Sequence, residues 1–374
     1  MPSPAPRTRI LFMIDYALST GGAERFAVGL ASHLPQDRFE PWLCATRMID
    51  EDATQTLAEA GVRQVTLGRT AKWDVHRLNG LVRLLRRERF DILHSHMFGS
   101  NAWGSLFGSA CRVPVIVAQE HSWSYEGNPL RAWIDGNVIG RLATRFVAVS
   151  RADGERMVTR EGVNADKVVV IPNGYIPSQS TSDTDVRAEL GLGADVPIVA
   201  IAAVLRPEKR LDLLLEAHAR LQALVPGAQL LIAGDGPCQE SLASQAHELG
   251  IDTAVRFLGR RNDVDSVLRA ADVGVLSSDR EGSPLLMFEC MANDTPLVAT
   301  SVGGVPDVIE HERTGVLVPR RDPEALAQAV AALLRDPARR AAIAAEARAR
   351  LHLYTIDATA GRFADLYDTL VPRA

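Results

Sequence analysis

Residues 272–304 read DVGVLSSDREGSPLLMFECMANDTPLVATSVGG. Two short apolar runs, Val273 to Leu276 and Pro296 to Ala299, have the length of buried strands, and the apolar-periodic segment between them has the length of a helix. The stretch therefore reads as strand, helix, strand. Ser277 and Ser278 end the first strand and Asp279, Arg280, Glu281 and Gly282 form a turn. Ser283 followed by Pro284 predicts a helix opened by a serine N-cap with proline at its first position. In an open parallel sheet, ligands bind outside the carboxyl ends of the strands. Helix N-termini there favour phosphate, because unpaired N–H groups and the helix dipole both point at it. Residues 277–285 hold such a place.

Two carboxylates flank it: Glu281 in the turn and Glu289 about one and a half turns inside the helix, by the ordinary helical rise. Carboxylates accept hydrogen bonds from hydroxyls, so a ligand carrying phosphates and many hydroxyls, such as a sugar nucleotide, would use every group offered. Taken singly, Glu281 reads equally as a solvated loop acid and Glu289 as an ordinary helix acid. The whole pattern is more specific. The run S-x-x-E-G-x-P-L-x-x-x-E-x-M-A, followed by P-L-V-A-T-S-V-G-G-V-P, closely resembles the donor-site signature of the family-four retaining glycosyltransferases, which have the GT-B fold. By that resemblance Glu281 contacts hydroxyls of the transferred sugar and Glu289 the ribose of the nucleotide. Ser283, Pro284 and Leu285 bring the helix N–H groups to the diphosphate. The family usually has glycine before the proline of the second strand where this chain has Asp294-Thr295, a departure expected to alter a helix end and not the chemistry.

At 374 residues the chain is long for one core and comfortable for two domains. It is 47% hydrophobic and 23% charged with net charge −5, the profile of an ordinary globular protein and not of a nucleic-acid binder. The first apolar run is broken by Asp15, so it reads as a buried strand and not as a secretory signal. No stretch has the length needed to span a bilayer. Cys44, Cys111, Cys238 and Cys290 show no C-x-x-C spacing, which argues against a zinc site and fits a reducing cytoplasm.

From the amino terminus, Ile10 to Asp15 is a strand. A turn with Ser19, Thr20, Gly21 and Gly22 then leads into the amphipathic segment Arg25 to Leu34. Gly21-Gly22 can bring backbone close to a ligand or can simply make the turn, and G-G-A-E-R resembles the family's glycine loop between donor phosphates and acceptor. A G-x-G-x-x-G dinucleotide fingerprint is absent. Arg77, Arg83, Arg86, Arg87 and Arg89 lie on a basic helix, read first as a solvated face and second as a peripheral contact with an anionic membrane or lipid-phosphate acceptor. His94 and His96 fall on one face of a strand and His121 at the end of another. A lone H-x-H does not make a metal site, and none is expected. The resemblance places His121 toward the transferred sugar and makes His96 the weaker second. Trp123, Tyr125 and Trp133 follow in a Gly-, Asn- and Pro-rich loop suited to stacking on a sugar acceptor or to a satellite core. Val168 to Pro172 ends in Asn173-Gly174, a V-I-P-N-G stretch that closes the first domain in the family. Residues 178–185 form a polar linker, in which Asp183 and Asp185 are an incidental D-x-D.

The second domain opens on Ile198 to Leu205, a central parallel strand, followed by Arg206-Pro207-Glu208-Lys209. Cations at a helix start suit a diphosphate, although a solvated basic turn fits as well. The family pattern commonly reads G-R-L-x-P-E-K-G, so Lys209 matches its phosphate-contacting lysine, whereas the arginine position is Val204 and Arg206 is displaced by two. Gly234 and Gly236 match the family's G-x-G-P, and Leu258 lies on the strand whose end contacts the nucleobase.

The expectation is thus an α/β GT-B fold of two Rossmann-like domains with doubly wound parallel sheets facing a cleft. An acceptor-side domain would span 1–178, a nucleotide-sugar domain 179–354, and a final helix in 355–374 would pack back on the first. The resemblance implies metal-independent, retaining transfer to a glycan or lipid-linked hydroxyl, with no cofactor besides the nucleotide sugar, in cytoplasmic polysaccharide or glycolipid assembly. A sugar-nucleotide epimerase or phosphorylase should lack E-x7-E, and only an activity assay excludes a non-catalytic sensor. The missing fingerprint disfavours an NAD-dependent dehydrogenase.

Overall fold

The structure is a computed structural model that describes residues 7–19, 21–71, 74–121, 128–177 and 184–371. The chain divides into two compact units. One runs through Ile176 and includes the segment from Thr355 on; the other is Pro177–Tyr354.

The first unit is built on seven parallel strands: β1 (Thr8–Ala17), β2 (Phe39–Ile49), β3 (Arg63–Thr66), β4 (Ile92–His96), β5 (Val115–Glu120), β6 (Arg145–Ala148) and β7 (Val168–Val170), in the order β3-β2-β1-β4-β5-β6-β7. Strand β1 shows why both faces need helices. Ile10, Phe12 and Ile14 point into a cluster with Phe26, Leu30, Phe363 and Tyr367. Leu11 and Met13 point the other way, into Leu81, Leu84, Leu85 and Phe90. The carboxyl-terminal helix Ile356–Leu370 belongs to the first face. It enters through a hydrogen bond from Ile356 N–H to the Tyr175 carbonyl (2.9 Å), packs Phe363 at a tilt against Phe26 and sets Tyr367 edge-on to Phe39.

The basic segment forms the helix Asn79–Glu88. Leu81, Leu84 and Leu85 are buried against the sheet, and Arg83, Arg86 and Arg87 are exposed. Its apolar stripe is spent on the core, so the solvated charged face accounts for the pattern. Among the described residues no helix is long and apolar enough to cross a membrane. Trp133 departs from the loop expectation. It stands 57% exposed on the helix Pro129–Ile134, which Asn128 caps through Oδ1 to Arg131 N–H with Pro129 at its start. Trp123 and Tyr125 lie outside the described residues, as do Thr20 and 178–183 of the expected linker.

The second unit holds β8 (Ile198–Ala202), β9 (Gln229–Ala233), β10 (Val255–Gly259), β11 (Val273–Leu276), β12 (Leu297–Thr300) and β13 (Val316–Val318), all parallel, in the order β10-β9-β8-β11-β12-β13. Every residue of β11 and β12 is buried, as continuous apolar strands covered on both faces should be. Both sheets are doubly wound. Strand order reverses between β1 and β4 in the first unit and between β8 and β11 in the second.

Candidate functional site

A reversal of strand order splays the two outgoing loops and leaves a crevice at the carboxyl ends of the strands. In the second unit the loop after β8 carries Lys209 and the loop after β11 carries Glu281. Lys209 Nζ donates to Glu281 Oε1 at 2.6 Å, and Ser278 Oγ donates to the same oxygen at 2.5 Å. The Glu281 side chain is 6% exposed and that of Lys209 24%, so the pair faces outward through the lysine. Backbone bonds fix the loops to each other: Asp279 N–H donates to the Glu208 carbonyl (2.9 Å), and Ser277 Oγ to the Lys209 carbonyl (2.9 Å).

The helix after this loop is Leu285–Ala292 and does not open on Ser283. Pro284 holds its N-cap position with extended backbone (φ −66°, ψ 130°) and no side-chain cap hydrogen bond. With Pro284 itself extended, the first helical residue is Leu285, and the proline ring offers no side-chain acceptor to cap it. Ser283 is buried beside this opening, and Glu289 sits one turn inside the helix, also buried. At the other end Asp294 takes φ +53°, a left-handed conformation that glycine would adopt without cost and Asp tolerates, so the Asp294-Thr295 departure is absorbed at the helix end.

Glycines let neighbouring backbones touch at two more places. A Cβ on Gly234 would stand 1.9 Å from the Ala203 carbonyl oxygen, and one on Gly236 2.6 Å from that of Leu205. The turn after β9 thus lies directly against the segment leading to Lys209. Leu258 is half-buried where the β9–β10 register shifts. Arg206 is exposed and takes part in no side-chain hydrogen bond or ion pair among the described residues, so the Lys209–Glu281 set is complete without it. Sequence reasoning passed over Ser278, which shares Glu281 Oε1, and Gly303, against which the Glu281 carbonyl packs. Both stood in the quoted stretch.

In the first unit the reversal lies between β1 and β4. Gly21 (φ +96°) is the N-cap of the helix Gly22–His33 that leaves β1, and His96 closes β4. His96 Nδ1 and His121 Nε2 are 3.0 Å apart, their rings stack at 5.3 Å, and Phe26 meets the edge of His121 at 5.3 Å. Below them His94 Nδ1 bonds the Tyr367 hydroxyl at 2.7 Å. Among the described residues His96 Nε2 meets no partner. A buried N–H left bare is rarer than a bare acceptor. His121 Nδ1 is likewise without a hydrogen-bond partner among the described residues, so whichever ring donates across the 3.0 Å contact leaves one buried N–H bare. Gly21, Gly22, His96, His121 and Asn173 all lie at or just past the carboxyl ends of strands in this sheet, and among them His96 and His121 are in direct contact. His96 is fully buried, so its reach toward a ligand is through His121. The imidazoles stack on one another and do not converge on a point; no group of three His, Cys, Asp or Glu among the described residues is arranged to hold a metal ion.

Burial pushes His94 and His121 down to about 3; the charge of His121 adds to the effect at His94, while Asn173 opposes it at His121. Burial holds His96 well below its usual value too. All three bind fewer protons folded than unfolded below the ordinary imidazole value, His94 and His121 down to about 3, so their contribution is present above the unfolded value and lost as pH falls below it. Glu120 works the other way. Burial and Asp135 raise its carboxyl to about 8, so its contribution weakens as pH rises from 4.5. Three histidines outweigh one glutamate, at about 1.4 kcal/mol per group and pH unit. The expected result is a melting midpoint of the first unit that falls steeply between pH 6 and 4, followed by circular dichroism. A midpoint that stays level across this range would contradict the neutral stack.

Comparison with known proteins bears on both sites. A family profile described as "Glycosyl transferases group 1" matches residues 182–350, and one described as "Glycosyltransferase Family 4" matches residues 20–179. The D-inositol 3-phosphate glycosyltransferase of Xylanimonas cellulosilytica is 31% identical over 74% of this chain and 72% of its own. The UDP-Gal:alpha-D-GlcNAc-diphosphoundecaprenol alpha-1,3-galactosyltransferase of Escherichia coli is 24% identical over 84% of this chain and 85% of its own. Among solved structures, Alr3699/HepE of Anabaena in complex with UDP and glucose superposes with a TM-score of 0.85 at 22% identity, over 97% of this chain and 100% of that one. Two parallel-sheet units, this superposition and two profiles that together span most of the sequence lead to one conclusion: the chain belongs to the group 1 glycosyltransferases, family four, and has the GT-B fold.

Proposed function

We propose that this transferase moves a glycosyl group from a nucleoside diphosphate sugar to a hydroxyl of a glycan or lipid-linked acceptor, with retention at the anomeric carbon and without a metal ion. The observation that carries the reading is the Lys209–Glu281 pair at the strand-order reversal of the second unit. A diphosphate there draws the lysine ammonium toward itself and releases Glu281 Oε1 to accept from sugar hydroxyls. As the sugar departs, negative charge grows on the leaving diphosphate. Lys209 and the N–H groups of the first helical turn from Leu285 are fixed in place to stabilise it, with Arg206 as a further exposed cation on the same loop. Glu289 receives the ribose, Gly234, Gly236 and Leu258 line the nucleotide side, and Gly21, Gly22, His96, His121 and Asn173 serve the transferred sugar and acceptor. No side chain acts as a covalent nucleophile; the acceptor attacks on the leaving-group face.

A solved relative of the same fold holds UDP and glucose, and a curated relative is named for a diphosphoundecaprenol acceptor. Both support a nucleotide-sugar donor, and the second supports a lipid-linked acceptor. The test is a screen of UDP-, GDP- and ADP-sugars for slow donor hydrolysis, with and without EDTA. One donor should be hydrolysed at the same rate in both conditions, with the anomeric configuration retained in the transfer product. Loss of turnover in EDTA would remove the metal-independent mechanism, and no binding of any nucleotide sugar would remove the donor site.

A further inference from the structure

Arg210 follows Lys209 directly and has φ +51°, in the left-handed region that disfavours any residue with a Cβ. Its guanidinium is committed to two acids. Nε and Nη2 donate to Asp212 (3.0 and 2.8 Å), on its own helix, and Nη1 donates to Asp279 Oδ2 at 3.1 Å, on the loop after β11. Asp279 lies two residues before Glu281. Its side chain is 12% exposed and also accepts from Arg321 Nη2 at 2.9 Å, from the loop after β13. Burial would raise the Asp279 carboxyl, but Arg321 and Arg210 together hold it below its usual range. The two arginines thus favour the charged form of the acid, which binds both of them. Together with Asp279 N–H to the Glu208 carbonyl and Ser277 Oγ to the Lys209 carbonyl, these bonds lace the lysine loop to the acid loop on either side of the Lys209–Glu281 pair.

We infer that Arg210 is a positioning residue for the donor site: through Asp279 it locks the loop that carries Lys209 to the loop that carries Glu281. Arg210 directs Nε, Nη1 and Nη2 at the two acids, and in this role it holds the loops and does not meet sugar or phosphate. The inference rests on the donor-site reading above. Two loops from different strands, each with one half of a charged pair, are held in register by a second pair placed just outside it. The left-handed backbone is the conformation in which the guanidinium reaches across, and glycine would take the same backbone without strain.

The test compares Arg210→Gly, Asp279→Asn, the double variant and Asp212→Asn. UDP affinity is measured by calorimetry, the KM and kcat of hydrolysis with UDP-glucose, and the thermal midpoint in the same samples. Arg210→Gly and Asp279→Asn should each weaken UDP binding and raise KM about ten-fold, with the double variant no worse than either single one, because both remove one interaction. Arg210→Lys should recover part of the loss. Asp212→Asn, which leaves the cross-loop bond intact, should bind as wild type does. Arg210→Gly relieves backbone strain but loses the ion pairs with Asp212 and Asp279, so UDP affinity is measured on each variant well below its own midpoint, where a lower affinity cannot be assigned to unfolding. Wild-type affinity in both single variants would overturn the inference, and so would losses that add in the double variant, the result expected if Arg210 met the phosphate itself. If wild-type protein binds neither UDP nor UDP-glucose while Lys209→Ala changes nothing, the donor-site reading has failed, not the role of Arg210 within it.

Discussion

Lys209→Ala is expected to lower transferase turnover by about a thousand-fold, the cost of removing one fixed electrostatic donor from a developing anion. The same substitution should lower the thermal midpoint, and the two losses have different causes. Glu281 is nearly buried and gives one oxygen to both Lys209 and Ser278. Without the lysine, a buried carboxylate keeps a single hydroxyl donor. Breaking one side of such a pair costs about 3–5 kcal/mol when both partners are buried, and about 1–3 kcal/mol here because the lysine is a quarter exposed. For a unit of this size that corresponds to a midpoint lower by roughly 3–10 °C.

The double variant Lys209→Ala/Glu281→Gln separates the two effects. A neutral amide in place of the carboxylate removes the stranded charge, so the midpoint should return most of the way to wild type. Turnover should stay as low as in Lys209→Ala, because the cation that meets the leaving diphosphate is still missing. Glu281→Gln alone should retain diphosphate binding while raising the KM for a nucleotide sugar, since the acceptor for sugar hydroxyls is weakened and the lysine is not. Calorimetry with UDP and steady-state kinetics with the donor distinguish these outcomes. Recovery of turnover together with stability in the double variant would show that Lys209 acts only as a structural partner of Glu281.

The parts of this site legible in the sequence were those set by local chemistry. Val273–Leu276 was read to the residue because a fully buried parallel strand is a continuous apolar run with polar residues at both ends. Gly21-Gly22 marked a strand-to-helix turn because only glycine takes φ +96° without strain, and the structure has a helix beginning at Gly22. The helix start was placed one residue early by the serine and proline signals together: Ser283-Pro284 has the same form as the Asn128-Pro129 pair that does open a helix, but here Pro284 keeps extended backbone (ψ 130°) and the first helical residue is Leu285. The helix under Trp133 carried its own signal, Asn128 followed by Pro129, masked by the surrounding loop-like composition. Partnerships across long separations had no local signature. The His94–Tyr367 bond spans 273 residues and the Arg210–Asp279 pair 69, and each depends on which strands become neighbours. Strand alternation could put His94 and His96 on one face, but nothing near them in sequence named the carboxyl-terminal helix as their cover.

Gly303→Ala should be the most damaging single methyl that can be added near the donor site. A Cβ at this position would lie 1.6 Å from the Glu281 carbonyl oxygen and 2.7 Å from its carbonyl carbon, with φ at +52°. The obstacle is backbone, not the end of a flexible side chain. Gly304 N–H also donates to the Gly282 carbonyl at 3.0 Å, so the strand β12 loop is stitched to the acid loop where the clash occurs. The left-handed backbone alone costs an L-residue about 1–2 kcal/mol, and overpacking against main chain adds about 1–3 kcal/mol or more. Relief requires the 281–282 backbone to move, which carries Glu281 away from Lys209. The variant should therefore lose about 3 kcal/mol or more of stability and bind UDP-sugar far more weakly than its remaining folded fraction accounts for. Gly361→Ala is the matched control: it lies within the helix Ile356–Leu370 with nothing within 4 Å of the added methyl, so it should gain about 0.5–1 kcal/mol from the higher helix propensity of alanine. Denaturant unfolding of both variants, with donor affinity measured on the folded protein, decides the matter. If Gly303→Ala unfolds at the wild-type midpoint and binds UDP-glucose unchanged, the close approach of the Glu281 backbone to Gly303 is not what sets the acid loop in place.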